Sequence, residues 1–416
     1  MALSVLLALA GIVAAVVVVA MTAGRQGNVS HPGVAFIATR PPALPTARDL
    51  GPVGVDWPIY GLDEARTRVL AMKTPMRPPF KDAWAVRGRT LIEFTPVKCG
   101  RSLYLLKNNG ALYKISQRTG RVLWKRKPGA LAASSPACGN GAVYAVLLRG
   151  RSGAGGLATA LSTRDGHVIW SRTLPSRSES SPLLVGPRVY FGSENGTVYA
   201  LRTRTGSVVW SFHAAGAVKG AIAFDGTRLY FGDYSGAVYA LRRTDGHQLW
   251  KVSTNGSHLF GIGSTEFYSS PAVAYGRVYI GSTNGAVYSF AANDGTLAWR
   301  RETGAYVYAS PAVGAVGGGP PTVWIGSYSG AFYALDARSG DVRWSRALGG
   351  AISGSASVLG DLVFVSAIGT TSSWALGANT GRTYWKTRRG AFNAAIGDGH
   401  RIYFNGYSSL FGLDPR

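Results

Sequence analysis

The sequence predicts an all-β protein: an eight-bladed β-propeller of four-stranded antiparallel blades, preceded by one N-terminal transmembrane helix. Three observations carry this. Seven times a glycine is followed four residues later by tryptophan, at Gly120/Trp124, Gly166/Trp170, Gly206/Trp210, Gly246/Trp250, Gly295/Trp299, Gly340/Trp344 and Gly381/Trp385. Successive tryptophans stand 46, 40, 40, 49, 45 and 41 residues apart, a period at which each unit must bury its apolar face on a neighbour. Between them run short Val-, Tyr- and Ile-rich segments ended by glycine turns.

The unit from Ser270 to Glu302 shows all the pieces: SPAVAYG, RVYIGSTNG, AVYSFAANDG and TLAWRRE, four strand-length runs. Asn284-Gly285 between the second and third is a two-residue hairpin signal, since such a turn takes positive φ at both central positions. Asn109-Gly110 and Asn195-Gly196 repeat it, and Ser235-Gly236 and Ser329-Gly330 are weaker versions. Asp294-Gly295 turns the third strand into the fourth, which carries Trp299.

Unit heads recur at Thr95-Pro96, Ser135-Pro136, Ser181-Pro182, Ser270-Pro271 and Ser310-Pro311, with degenerate heads at Lys219-Gly220, Gly354-Ser355 and Asn393-Ala394. Eight heads exceed seven glycine–tryptophan pairs because the last unit supplies only three strands before Arg416. Trp84 stands 40 residues before Trp124, in register with the repeat. The segment around it is therefore expected to supply the outer strand of the last blade and close the ring, which leaves only short protected edges. Seven blades is the fallback if the weak last unit does not form.

The pattern running from Val198 to Trp210 and from Val238 to Trp250, Val-Tyr-Ala-Leu followed by a Gly-x-x-x-Trp turn, resembles the pyrroloquinoline-quinone (PQQ) type propeller repeat. The resemblance covers residues 81–416 and includes both quinoprotein dehydrogenases and non-enzymatic propellers of the BamB type. It implies that Trp124, Trp170, Trp210, Trp250, Trp299, Trp344 and Trp385 dock adjacent blades. A tryptophan suits that role, burying about 150–250 Å² while offering one N–H to a neighbouring carbonyl.

Residues 2–23 hold no charge and are dominated by Val, Leu and Ala, and ~20 apolar residues are enough to cross a bilayer. Residues 1–24 read as an uncleaved signal-anchor, the competing reading being a cleaved signal peptide. A signal peptide normally has a shorter apolar core behind Lys or Arg. Arg25 and Arg40 follow the run, which taken literally would put the propeller inside; long domains translocate largely regardless of such charge. The resemblance implies an extracytoplasmic propeller on a single-pass cell-membrane anchor. The first cysteine is Cys99, so a lipoprotein signal is absent. Residues 25–80, with Pro41-Pro42, Pro45, Pro52, Pro58 and Pro78-Pro79, read as a Pro/Gly-rich linker, although Asp56–Gly61 and Asp63–Thr67 look less like a tether and are expected to pack on the ring.

Lys plus Arg number 44 against 20 acidic residues, giving +24. Such a charge favours anionic membranes or cell-wall polymers. Scattered residues such as Arg202 and Arg242, with no nucleic-acid-binding motif, argue against specific nucleic acid. Cys99 and Cys138 hold matching positions in the first two blades, where neighbouring first strands are close. They read as a disulfide in an oxidising compartment or as two independent buried thiols.

The quinoprotein dehydrogenases use vicinal cysteines, an Asp base and a calcium site. This chain has no adjacent cysteines and no Cys-x-x-Cys-His haem motif. No cofactor is expected, PQQ staying open only through the repeat itself. His213, His247, His258 and His400 lack metal spacing, and the recurring head serines read as turn hydrogen-bond formers rather than nucleophiles. No catalytic residue and no enzyme are expected.

Departures from the repeat mark where function can be added. In a propeller the fourth-to-first-strand connections share a face with the second-to-third-strand hairpins. That loop face gathers Glu93, Phe94, Arg177, Glu179, His213, Lys219, Tyr306, Tyr308, Phe392 and Asn393, with Tyr234, Tyr328 and Tyr407 at hairpin tips. The longest connection runs from Asn255 through Glu266-Phe267-Tyr268. Tyrosines with few charges make low-entropy contact surface for a peptide or sugar; the bland alternative is that they cap the blade ends. Two functions follow: a monomeric, non-enzymatic, membrane-tethered scaffold binding a protein or glycan at the cell envelope, or a PQQ-dependent oxidoreductase with an atypical site.

Overall fold

The computed structural model describes residues 27–38, 46, 48–73, 76–150, 155–254, 265–390 and 392–415. The apolar run at 2–23 and the stretch 255–264, with His258, lie outside the described residues. Among those described, no helix is long and apolar enough to cross a membrane.

Eight antiparallel sheets form the ring. Blade 3 is representative, with strands Leu183–Val185, Arg188–Gly192, Thr197–Arg202 and Val208–His213 from the channel outward. Its register pairs Tyr190 with Ala200 and Ala200 with Trp210, so the small alanine sits between two rings on one face. Blade 8 is built from Ala395–Gly397, Ile402–Asn405 and Leu410–Pro415, and its outer strand is Phe80–Val86 from the other end of the propeller sequence. Val86 pairs with Leu410 and Phe80 with Pro415, so the ring closes through the Trp84 segment and has eight blades rather than seven.

The glycine–tryptophan period is an inter-blade device. Each tryptophan ring lies against the glycine of the following blade: Trp124 on Gly166, Trp170 on Gly206, Trp210 on Gly246, Trp250 on Gly295, Trp299 on Gly340 and Trp344 on Gly381. Each indole N–H then donates to a main-chain carbonyl beyond that contact, as Trp170 to Thr203 at 2.7 Å and Trp299 to Ala337 at 3.0 Å. Trp385 departs from the pattern: it meets Phe80 and Phe404 edge-on, at 5.3 and 5.5 Å between ring centroids. Blade 8 has no glycine turn at that place because its third and fourth strands come from opposite ends of the propeller.

The head serines also work between blades rather than within turns. The Ser270 N–H donates to Ser310 Oγ (3.0 Å), Ser310 to Ser355 Oγ (2.8 Å) and Ser355 to Asn393 Oδ1 (3.0 Å). Asn393 Nδ2 donates onward to the Glu93 carbonyl at 2.8 Å, and Ser135 Oγ donates to the Thr95 carbonyl at 2.7 Å. This belt ties the inner strands together. Cys99 and Cys138 form a disulfide joining blades 1 and 2 just below it.

The linker reading needs correction over residues 55–70. These residues line the channel and contact the inner strands in turn instead of forming a free tether. Backbone hydrogen bonds connect Val55 to Asp398, Trp57 to Lys98, Pro58 to Cys138, Glu64 to Phe224, Ala65 to Val273, Thr67 to Val313 and Arg68 to Val358, visiting blades 8, 1, 2, 4, 5, 6 and 7. Blade 3 is reached by Arg66, whose guanidinium donates to the Ser181 carbonyl (3.2 Å) and the Ile222 carbonyl (2.6 Å). Trp57, Ile59, Tyr60 and Arg66 are buried there. Upstream, Val29–Ser30 adds a fifth strand to the outer edge of blade 5.

Candidate functional site

On the loop face each blade's hairpin tip is hydrogen-bonded to the connection that enters the same blade. Glu194 N–H donates to the Arg177 carbonyl (2.8 Å), Tyr234 to Ala217 (2.9 Å), Thr283 to Glu266 (3.0 Å) and Tyr328 to Tyr306 (2.9 Å). The repeat therefore delivers residues far apart in sequence to one rim around the channel mouth. Its floor is Tyr60, whose hydroxyl reaches Ser355 Oγ (2.8 Å) and Asn393 Oδ1 (3.0 Å) in the serine belt. The mouth is thus a closed recess, lined by Tyr60, Glu93, Phe94, Glu179, Lys219, Tyr268 and Tyr308 among others.

The tyrosines expected to act together do come together. Tyr268 and Tyr308 meet edge-on at 5.4 Å, Tyr308 and Tyr328 at 5.0 Å, Tyr306 and Tyr308 at 5.9 Å, and Tyr306 and Tyr328 at 6.4 Å. Tyr306 is 54% exposed and Tyr328 36% exposed, while Tyr268 and Tyr308 are half-buried beneath them. The chain of rings runs from the recess out to solvent over blades 5 and 6. Tyr407 is exposed on the blade 8 hairpin, whose carbonyl accepts from Ile92, and makes no ring contact with the other tyrosines.

Glu179 and Lys219 belong to a four-member ion network. Lys219 Nζ lies 3.5 Å from Glu179 and 3.4 Å from Glu194, and Arg177 lies 3.5 and 3.6 Å from the same two carboxylates. The Lys219 ammonium also stands 5.3 Å over the Tyr234 ring. Burial pushes the Glu179 carboxyl up, Lys219 and Arg177 oppose, and Glu194 adds to the rise. Glu93 is raised by burial as well, against a 2.8 Å hydrogen bond from Asn108 Nδ2. The Tyr268 phenol is pushed far up by burial and by Glu179 and Glu93.

Asn393 has a structural role besides the one expected. It is buried in the wall of the recess, and both side-chain polar atoms are committed to Ser355, Tyr60 and Glu93, so it seals the belt. His213 is exposed at the end of an outer strand, and Phe94 packs edge-on against Tyr60 at 5.4 Å. Sequence reasoning missed Glu194 and placed Tyr60 only within a segment expected to pack on the ring, not at the channel mouth. Glu194 could have been found from its place in a hairpin tip of that face; the circuit that brings Tyr60 into the channel has no periodic signal.

Among the described residues no three His, Cys, Asp or Glu side chains gather to hold a metal ion. Glu93 and Glu179 line the recess with Lys219, Glu194 and Arg177 join them through the ion network, and below the floor the Arg68 guanidinium stands 4.0 Å over the Tyr60 ring.

A family profile described as "Outer membrane protein assembly factor BamB" matches residues 81–215, 194–319 and 309–416. Among solved structures, BamB from Moraxella catarrhalis is 16% identical, covers 80% of this chain and 99% of its own, and superposes with a TM-score of 0.65. The quinohemoprotein alcohol dehydrogenase ADHIIG from Pseudomonas putida HK5 is 14% identical over 87% of this chain and 80% of its own, at 0.70. A europium-containing methanol dehydrogenase is 16% identical over 87% and 91%, at 0.69. At these identities the likeness is one of fold. A comparison with curated protein sequences finds no match. The profile spans the whole ring, and the chain belongs to the BamB-like family of PQQ-type β-propeller repeat proteins.

Proposed function

We propose that this protein is a non-enzymatic, membrane-tethered scaffold that holds a partner on its loop face at the cell envelope, outside the cytoplasm. The observation that carries the reading is the run of four tyrosines from the recess to solvent, large rigid contact area at low entropic cost. The disulfide suits an oxidising compartment. The start of the described chain bears on the tether. Gly27 and Asn28 are bonded to Arg300 and Glu302, at the loop-face end of the blade 5 outer strand and close in sequence to Tyr306. Four residue steps, about 14 Å when fully extended, separate Ala23 from Gly27. An anchor at 2–23 would therefore hold blade 5's loop-face edge near the bilayer.

Photo-crosslinking amino acids at Tyr306 and Tyr328 in membranes test this. A discrete adduct is expected there, and none from Arg202 or Arg242, which end third strands at the opposite face of the ring. Adducts from those two positions alone would overturn the site. The likeness to quinoprotein dehydrogenases supplies the second reading, and its test is direct: a stoichiometric PQQ spectrum with calcium and dye reduction would replace the scaffold reading.

A further inference from the structure

Of the chain's six glutamates, Glu93 and Glu179 line the recess, while Glu194 stands beside Lys219 and Glu266 near Tyr234 and Tyr308, on a protein whose net charge is +24. Against them stand Arg177 and Lys219, each shared between Glu179 and Glu194. The Glu266 carboxylate makes no ion pair or hydrogen bond among the described residues, although burial and this carboxylate together push up the Tyr234 phenol. Arg68 stands 4.0 Å over the Tyr60 floor, and the two ion-network glutamates are paired, so the charge the mouth leaves open is the Glu266 carboxylate beside Tyr234 and Tyr308.

Lys219 shows how an ammonium sits in such a place: over the Tyr234 ring at 5.3 Å and within 3.5 Å of two carboxylates. Cation–π attraction and carboxylate pairing act together there, and both strengthen as water is excluded. Tyr308, edge-on to Tyr268, and Glu266 offer the same combination, with no cation among the described residues paired to Glu266.

We infer that the channel mouth takes the side chain of a lysine or arginine on a polypeptide segment of the partner, seated between Glu266 and the Tyr268–Tyr308 pair while Tyr306 and Tyr328 cover the flanking residues. This rests on the scaffold reading and names the partner's chemistry. Charge complementarity favours a basic polypeptide over a neutral glycan, and it disfavours any acidic segment.

Selection of twelve-residue peptides from a random display library on the full chain in lipid nanodiscs tests it. Peptides enriched in Lys or Arg are expected. Glu266→Gln, which removes no ion pair or side-chain hydrogen bond among the described residues, should weaken a selected peptide about tenfold. Tyr306→Ala with Tyr328→Ala should weaken it at least about tenfold, as for aromatic anchors. Arg242→Glu, at the end of blade 4's third strand on the opposite face, should leave the mouth's affinity within about twofold at 150 mM salt. Enriched peptides without basic residues, or binding indifferent to Glu266→Gln, would overturn this inference and leave the scaffold intact. No enrichment at all would overturn both.

Discussion

The Trp84 ring lies flat against Gly120: a Cβ placed on that glycine would stand 2.6 Å from Trp84 Cδ2, and the indole N–H donates to the Gln117 carbonyl at 3.1 Å. Trp84 belongs to the closing strand of blade 8 and Gly120 to blade 1, so the ring's closure repeats the joint used between blades throughout. Gly120 also has φ +71°, where an L side chain is strained. Gly120→Ala is expected to cost roughly 1–2 kcal/mol through the backbone and another ~1–3 kcal/mol through overpacking. Urea unfolding measures it; a cost under about 0.5 kcal/mol would show that the ring does not close on this contact.

Graded truncation separates the closing strand from the channel segment. Removing residues 1–47 should leave the ring and its floor whole. Removing 1–80 takes away Trp57, Ile59, Tyr60 and Arg66, all buried, and should lower the thermal midpoint clearly. Removing 1–86 also opens a strand edge, and aggregation is expected. Equal midpoints for the first two truncations would mean that the channel segment contributes nothing to stability.

Burial distinguishes scaffold from site. Trp210 is buried, packs on Gly246 and donates to the Arg243 carbonyl at 3.1 Å, so Trp210→Ala is expected to cost ~3–5 kcal/mol. Tyr328 is exposed at a hairpin tip, and Tyr328→Ala should cost less than about 1 kcal/mol. A loss at Tyr328 comparable to that at Trp210 would make the tyrosine run a structural cap.

How far the sequence is legible follows from what repeats. Trp84, Asn284-Gly285 and the Ser-Pro heads recur at fixed spacing, and each marks a strand, a hairpin or an inner edge found in the structure. The tyrosines of the mouth were legible for a related reason: departures from a known repeat stand out, and the ring places them on one rim. For residues 55–70 the packing of 56–61 and 63–67 on the ring was legible but the path was not, because their partners are single backbone groups on seven different blades and no periodicity records such a path. The part of Asn393 in the belt was not legible either, because a polar head in a weak unit looks like a ligand contact until its partners in Ser355, Tyr60 and Glu93 are seen.

The bridge between Cys99 and Cys138 spans 39 residues. Chain-entropy reasoning gives about 4 kcal/mol for a loop of that size, as an upper figure because the belt already aligns the two inner strands. The Cys99→Ser/Cys138→Ser double variant should unfold at a lower urea midpoint, and reductant should bring the wild type to the same value. Two titratable thiols in protein purified from the envelope would overturn the bridge and, with it, a support for placing the ring outside the cytoplasm.

The buried carboxyl of Glu93 gives the molecule a pH signature. Burial raises it, the Asn108 hydrogen bond opposes, and Glu179 adds to the rise. With the folded value above the unfolded value of about 4.3, the folded protein binds this proton first as pH falls. The group's contribution to stability is therefore least favourable at neutral pH, improves as pH falls through the folded value, and is constant below the unfolded one. Glu93→Gln keeps an acceptor for Asn108 and removes the charge. It should raise the thermal midpoint at pH 7, and its advantage over the wild type should shrink to nothing near pH 4. A variant less stable than the wild type at pH 7 would show that Glu93 is held ionised by partners stronger than its burial. The same protonation should weaken a bound basic peptide as pH falls, beginning above the ordinary carboxylate range because Glu179 is raised with Glu93. Peptide affinity that stayed flat from pH 7 to pH 4.5 would remove these carboxylates from the contact.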